Sequence, residues 1–160
     1  MLHFISKANG ELKDKIAAGA ESSSGKKRRG AATDAAADAA DPAARVAAAL
    51  RSRLEAITPH ASSWPAALAT LATRPGAAPA AASLLAALVD DVLHAVGADA
   101  AAGPDWYAKR AALGAVYVAA ELHLVADGSP GFEDTWAFLE NGVRGVLGVV
   151  GRMSGAGGAE

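Results

Sequence analysis

Apolar residues recur along most of the chain at spacings of three and four, which place them on one face of an α-helix. Val46, Leu50, Leu54 and Ile57 form one such series. The other series fall within residues 64–73, 79–96, 106–126 and 130–143. No segment alternates between apolar and polar residues over the length of a strand. The pattern therefore predicts an all-α fold with four or five helices after residue 42.

Start signals support the first two of these helices. Asp41-Pro42 combines an N-cap side chain with a proline in the first turn, so a helix is expected to begin there. Ser62 or Ser63 is expected to cap the next helix, which opens with a Trp-Pro pair.

The later helices also have start and stop signals in the sequence. Pro79 is expected to open the third helix and Gly97 to end it. The longest predicted helix runs from about Trp106 to Ala126. A last helix follows a Ser-Pro pair and carries glycine at positions 142, 145, 148 and 151. Because each glycine costs about 1 kcal/mol relative to alanine inside a helix, this end is expected to fray or break.

The chain divides into four expected segments. Residues 1–18 form the end of an N-terminal helix that an Asn-Gly pair interrupts, and structure before them is expected to be missing. Residues 19–42 are a low-complexity linker. Its basic run is either a solvated stretch or a patch for targeting or for an anionic surface. Residues 43–152 form the helical domain, and residues 153–160 form a disordered tail.

Composition excludes several classes of function. The 160 residues leave room for one domain at most, and the net charge of −2 gives no electrostatic reason to expect nucleic acid as a partner. The absence of cysteine excludes disulfides and thiolate chemistry. No secretory signal is visible. The apolar stretch 111–126 is shorter than a membrane span and carries Glu121 and His123, so a soluble or peripheral protein is expected.

The titratable residues predict neither a catalytic site nor a metal site. Asp91 and His94, with Asp90 four residues before the histidine, form the only arrangement in the sequence that has carboxylate–histidine spacing on one helix face. A di-iron bundle needs two such pairs on different helices and two further carboxylates. Glu121 and His123 are two residues apart and point to different sides of a helix. A hydrolase or metalloenzyme remains the third hypothesis, which stoichiometric iron would support.

Two adjacent aromatic residues, Trp106 and Tyr107, mark the start of the longest helix. Adjacent helical residues point about 100° apart, so at least one of the pair is expected near the surface. With Arg110 close by, the pair fits the core, a protein-binding surface or a membrane surface. Trp136 and Phe138 are expected in the core.

The many alanines allow two kinds of packing. Helices with small side chains either approach closely or leave space between them. A tight alanine-based bundle is the default packing. The alternative is an apolar, lipid-binding cavity, whose expected lining is Leu84, Leu88, Val116 and Leu124.

Three segments resemble the ubiquinone-biosynthesis accessory family, coenzyme Q biosynthesis protein nine. They are 83–94 (SLLAALVDDVLH), 105–111 (DWYAKRA) and, with the most specific match, 129–141 (SPGFEDTWAFLEN). The resemblance covers roughly residues 43–147 and the first dozen. It implies a fold like that of the TetR regulators, in which a small helix-turn-helix-like region precedes a larger helical ligand-binding bundle that forms a homodimer.

The resemblance also implies a function. The family binds isoprenoid or other lipid, needs no cofactor, and presents the quinone precursor to the di-iron demethoxyubiquinone hydroxylase on the matrix side of the mitochondrial inner membrane. The surface that contacts the hydroxylase corresponds to Trp106 and Tyr107, with Asp90, Val92 and Arg110 as neighbours. The chain is accordingly expected not to be an enzyme. A TetR-type ligand-sensing regulator domain is the alternative.

The chain departs from the family at both ends. The helix-turn-helix-like region is expected to be missing, and a segment rich in glycine is expected to stand in place of the C-terminal amphipathic helix that would give peripheral contact with the membrane.

Overall fold

The computed structural model describes residues 1–25, 41–98 and 104–156, and these residues form six α-helices and no strand. The helices are α1 (Leu2–Gly25), α2 (Pro42–Glu55), α3 (Trp64–Thr73), α4 (Ala77–Ala95), α5 (Pro104–Ala126) and α6 (Glu133–Ala156). Short 3-10 turns at Thr58–His60 and Pro130–Phe132 precede α3 and α6. The all-α prediction is confirmed, whereas the likeness to TetR regulators stays a prediction.

The predicted start of α2 is confirmed with its mechanism. The Asp41 carboxylate accepts a hydrogen bond from the Ala43 backbone N–H at 2.9 Å, and Pro42 occupies the first turn. The prediction for α3 is wrong in its mechanism, since the Ser63 hydroxyl donates backward to the His60 carbonyl and does not cap the helix.

Glycines with positive φ delimit α4. Gly97 has a φ of 66° and follows the end of the helix, as predicted. Gly76, with a φ of 74°, precedes the first residue, so α4 begins at Ala77 and not at Pro79. Only glycine takes this left-handed backbone without strain, which sets the start of the helix two residues earlier.

The first and last helices are longer than predicted. α1 passes through its Asn-Gly pair and continues to Gly25, so residues 19–25 are helical, while the rest of the predicted linker, 26–40, lies outside the described residues. α6 runs through all four glycines to Ala156, which contradicts the expected break. Of the predicted tail, residues 157–160 lie outside the description.

A side-chain network holds the turn between α5 and α6. Asp127 Oδ1 accepts from the Ser129 N–H at 2.7 Å, and Oδ2 accepts from the Thr135 N–H at 2.9 Å and from the Thr135 hydroxyl at 2.5 Å. The bond from Thr135 satisfies an amide group in the first turn of α6 that no helical carbonyl can reach, and the bond from Ser129 fixes the turn before it. The turn itself uses positive φ at Gly131 and Phe132.

One core joins the helices. α6 packs along α5 and α2, and α1 packs on α4 and α2. The fully buried side chains include Leu50, Leu54, Leu93, Leu113 and Leu139. They lie at the predicted helical spacing, so the core follows from the sequence pattern.

One described helix, α4, is long and apolar enough to span a membrane, with a mean hydropathy of 1.3 over its most apolar window. About 28% of that window is buried in the fold. Core helices of soluble proteins can be equally long and apolar. Much of α4 is therefore exposed, and the side that the other helices do not cover is apolar.

Candidate functional site

An apolar cavity of about 470 Å³ lies between α1, α3, α4 and α5. Its volume falls within the range of ligand pockets in proteins. Most of its lining is aliphatic and comes from Met1, Ile5, Leu68, Leu71, Leu84, Leu85, Leu88, Val118 and Leu122. The arrangement suits a long apolar ligand.

Small residues on α4 create this space. Ala78, Ala81 and Ala82 line the cavity where α4 faces α3. Larger side chains at these positions would occupy the volume that the alanines leave open. Of the two packings that the alanines allow, the structure adopts the one with space between helices.

The four residues predicted to bind lipid divide into two groups. Leu84 and Leu88 line the cavity. Val116 and Leu124 do not line it, and for them the predicted location is wrong. Val116 packs against the backbone of α6 near Gly142, and Leu124 is buried in the core. The prediction placed all four on apolar faces but did not distinguish the face of α5 that meets α6 from the face that meets α4.

The cavity also has polar side chains that the sequence pattern did not predict there. Arg53, in the last turn of α2, is 2% exposed, and its Nε donates to Asn9 Oδ1 at 2.8 Å. Asn9 Nδ2 donates in turn to the Leu84 carbonyl at 3.1 Å. This relay ties α1, α2 and α4 together. The sequence does indicate that Arg53 is buried, because it lies three residues after Leu50 and so on the apolar face of its helix.

A second polar contact lies in the lining of the same cavity. Trp64 Nε1 donates to Glu121 Oε1 at 2.5 Å, which links α3 to α5. Burial raises the pKa of Glu121, and this hydrogen bond and the positive charge of Arg53 oppose that shift. Phe4 packs edge-on against Trp64 and so anchors α1 at the same place.

The Tyr117 hydroxyl belongs to the same polar group. Tyr117 lines the cavity and is buried. Burial raises the pKa of its phenol above the ordinary value, and the charges of Arg53 and Glu121 act on it in opposite directions. The phenol therefore keeps its proton at neutral pH and offers an O–H donor.

A second, more open groove of about 1030 Å³ runs along the outer face of α4 and α5. It is almost wholly apolar and ends at Trp106 and Tyr107. Four residues line both the groove and the cavity, namely Ala82, Leu85, Val118 and Leu122. The cavity and the groove are therefore neighbours. Only the side chains of these four residues lie between them, and no further helix does.

The predicted surface patch assembles at the end of this groove. The Trp106 and Tyr107 rings meet edge-on at 4.7 Å, and Tyr107 is 70% exposed. The Arg110 guanidinium lies over the Trp106 ring, 3.5 Å from its centroid. Arg110 also binds Asp90 Oδ1 through Nη2 at 2.7 Å and through Nε at 2.9 Å. Arg110 therefore fixes the orientation of Trp106 and leaves Tyr107 as the projecting side chain.

Two predicted positions need correction. Val92 is 1% exposed and lies in the core, so it is not part of the patch surface. Val92 follows Asp90 by two residues, and side chains at that spacing point to different sides of a helix. Phe138, predicted in the core, is 40% exposed and stacks on the His123 ring. Trp136 is buried as predicted, with Arg51 over its ring.

The titratable pair on α4 has structural contacts. Asp91 forms a salt bridge with Lys13 of α1 at 3.1 Å, and His94 is exposed beside it. Among the described residues, no group of three or more histidine, cysteine or acidic side chains is placed to hold a metal ion. The carboxylate on α4 thus helps to dock α1.

Residues 78–149 match the COQ9 protein family. The chain is 42% identical over 99 residues to Ubiquinone biosynthesis protein COQ9, mitochondrial, from Homo sapiens, an alignment that covers 62% of this chain and 30% of that protein. For the protein of the same name from Drosophila melanogaster the identity is 39% over 101 residues, with 63% and 30% covered. The resemblance to this family is confirmed.

A more distant relative extends the comparison. Probable ubiquinone biosynthesis protein coq9, mitochondrial, from Dictyostelium discoideum is 36% identical over 103 residues, which are 64% of this chain and 33% of that protein. The chain thus spans about a third of the length of the curated relatives that it matches. The names of all three relatives agree with a mitochondrial location and a role in ubiquinone biosynthesis, and they state no catalytic activity.

Proposed function

Because residues 78–149 match the COQ9 family, we propose that this chain is a lipid-binding accessory protein of ubiquinone biosynthesis. It holds a polyprenyl quinone intermediate or another isoprenoid lipid in the cavity and presents it to the di-iron demethoxyubiquinone hydroxylase. The setting is the matrix side of the mitochondrial inner membrane, and the chain acts as a homodimer in peripheral contact with that membrane.

The cavity supports the lipid part of the proposal. An isoprenoid tail is costly to expose to water, at about 0.8 kcal/mol for each methylene group. The aliphatic side chains of α3 and α4 offer such a tail an apolar surface to pack against. The protein thereby lowers the free energy needed to move the substrate out of a bilayer.

The aromatic patch supports the partner part of the proposal. Exposed tyrosine and tryptophan next to arginine are the residue types that contribute most to binding at protein interfaces. Tyr107 projects from the end of the groove, and Arg110 holds Trp106 against the helix surface. The patch is thus preorganised, so little side-chain entropy is lost when a partner binds.

The observation that carries the proposal is the wall shared by the cavity and the groove. The side chains of Ala82, Leu85, Val118 and Leu122 lie between the cavity and the more open groove that ends at the aromatic patch. A partner bound along the groove covers this wall. Rotation of a few side chains then connects the two spaces without unfolding a helix.

Substitution of the patch tests the partner. Trp106→Lys and Tyr107→Lys are expected to abolish co-purification with the hydroxylase while helical content by circular dichroism stays unchanged. Val149→Lys is the matched control, because Val149 is an exposed apolar residue on α6, away from the groove. Full retention of the hydroxylase by both patch variants would refute the assignment of this surface.

A further inference from the structure

The buried guanidinium of Arg53 has more hydrogen-bonding capacity than the fold uses. Its Nε is occupied by Asn9, whereas Nη1 is buried and has no hydrogen-bond partner among the described residues. Arg53 is 2% exposed and lines the cavity. A buried cationic donor of this kind is expected to face an acceptor.

The surroundings of Arg53 define what that acceptor would meet. Tyr117 contributes a protonated hydroxyl to the same cavity, and Glu121 contributes a carboxyl group held by Trp64. The remaining lining is mostly aliphatic. The cavity is therefore amphipathic, with a small polar group on α1, α2 and α5 and apolar walls from α3 and α4.

We propose that Arg53 is the head-group anchor of this cavity and that Nη1 donates a hydrogen bond to an acceptor oxygen on the head of an amphiphilic ligand. This inference rests on the proposed function and adds an orientation to it. The oxygen-bearing head lies at the C-terminal end of α2, and the tail follows the leucines of α3 and α4.

The chemistry selects ligands with an oxygen acceptor over plain hydrocarbons. A hydrocarbon chain would leave the Nη1 donor unpaired in a medium of low polarity, which is unfavourable. A carbonyl oxygen of a quinone-type head or a phosphate oxygen of a lipid head satisfies it. Both heads offer the same acceptor, and the two sources are separated by experiment.

The test uses the complete chain and three probes presented from the same non-ionic detergent. Decylubiquinone carries carbonyl oxygens, decanoyl lysophosphatidic acid carries a phosphate, and decylbenzene carries a ring without an acceptor. The bound amount of each is measured by gel filtration followed by extraction and mass spectrometry. Comparing each probe between wild type and variant cancels differences in solubility.

Arg53→Met keeps an unbranched apolar stem and removes the guanidinium with its donors. Loss of one hydrogen bond to a charged group is expected to lower binding of at least one oxygen-bearing probe about tenfold or more, while decylbenzene binding stays within about twofold. Arg45→Met is the matched control on the same helix, since Arg45 is exposed and does not line the cavity. It is expected to leave all three probes unaffected.

The outcomes separate this inference from the proposed function. A selective loss of decylubiquinone identifies a carbonyl acceptor, and a selective loss of the lysophospholipid identifies a phosphate. Equal binding of all probes by wild type and Arg53→Met overturns the anchor but leaves lipid binding intact. A wild-type protein that binds none of the three probes overturns the proposed function itself.

A measurement on the wild-type protein covers the case in which Arg53→Met does not fold. With 15N-labelled arginine, an oxygen-bearing probe is expected to shift the Arg53 Nη resonance more than decylbenzene does. Equal shifts from all three probes would overturn the anchor.

Discussion

Asp127 holds the turn between α5 and α6 through both of its carboxylate oxygens. Hydrogen bonds from Ser129 and Thr135 hold the pKa of this carboxyl well below its usual range. An acid with a lowered pKa in the folded state stabilises the fold above the pKa of the unfolded chain, about 3.9. The stabilisation is lost as the pH falls from there toward the folded-state pKa.

Asp127→Asn is therefore expected to lower Tm at neutral pH, because an amide has one acceptor oxygen where the carboxylate has two. The difference in Tm from wild type is expected to shrink below about pH 4. Thermal unfolding followed by circular dichroism over a pH series measures it. Asp134→Asn, an exposed acid in the first turn of the same helix, is the control. A difference in Tm that stays constant down to about pH 2 would contradict this explanation.

At the residue scale, the sequence predicts whether a side chain is exposed better than it predicts which residues lie beside it. The pair Trp106-Tyr107 was predicted to have at least one surface residue, since adjacent helical positions diverge, and Tyr107 is exposed. Val92 was assigned to the same patch by resemblance and is buried. Arg53 was missed because the sequence alone does not show that an arginine on an apolar helix face lines a cavity.

At the element scale, α6 illustrates how packing overrides helix propensity. Its glycines predicted a break, yet the helix continues through all four, and one of them meets α5 closely. A Cβ at Gly142 would lie 2.8 Å from Val116 Cγ1, so only glycine fits without displacement. At Gly145 a Cβ would have no neighbour within 4 Å. Sequence periodicity contains no information on which glycine faces another helix.

The two glycines give a matched pair of substitutions. Gly142→Ala is expected to destabilise the protein by about 1–3 kcal/mol, because the stiff Val116 side chain must move. Gly145→Ala is expected to stabilise it by up to about 1 kcal/mol through helix propensity. Urea unfolding followed by circular dichroism gives both free energies. Equal stabilisation by the two alanines would show that the α5–α6 contact is looser than described.

At the scale of the whole molecule, the helices and their order were predictable, whereas the cavity was not. Apolar spacing fixes which helices exist and which face of each is buried. The empty space depends on how far apart α3 and α4 stand, which alanine-rich faces leave open to either packing. For the same reason Leu84 and Leu88 were placed correctly and Val116 and Leu124 were not.

Filling the cavity tests its role without touching its polar group. Ala81→Phe places a large side chain in the cavity wall and is expected to reduce bound lipid severalfold while the protein stays folded. Ala66→Phe, at an exposed position on α3 outside the cavity, is the matched control and is expected to bind lipid as the wild type does. Mass spectrometry of extracted protein measures both. Equal lipid content in the two variants would show that lipid binds elsewhere.

The most direct test of the central claim is organic extraction of the purified wild-type chain, produced in cells that make ubiquinone, followed by mass spectrometry. We expect an isoprenoid quinone intermediate or a phospholipid at close to stoichiometric amounts. Helical content measured on the same preparation verifies that the protein is folded. A folded protein that is consistently free of lipid would contradict the account.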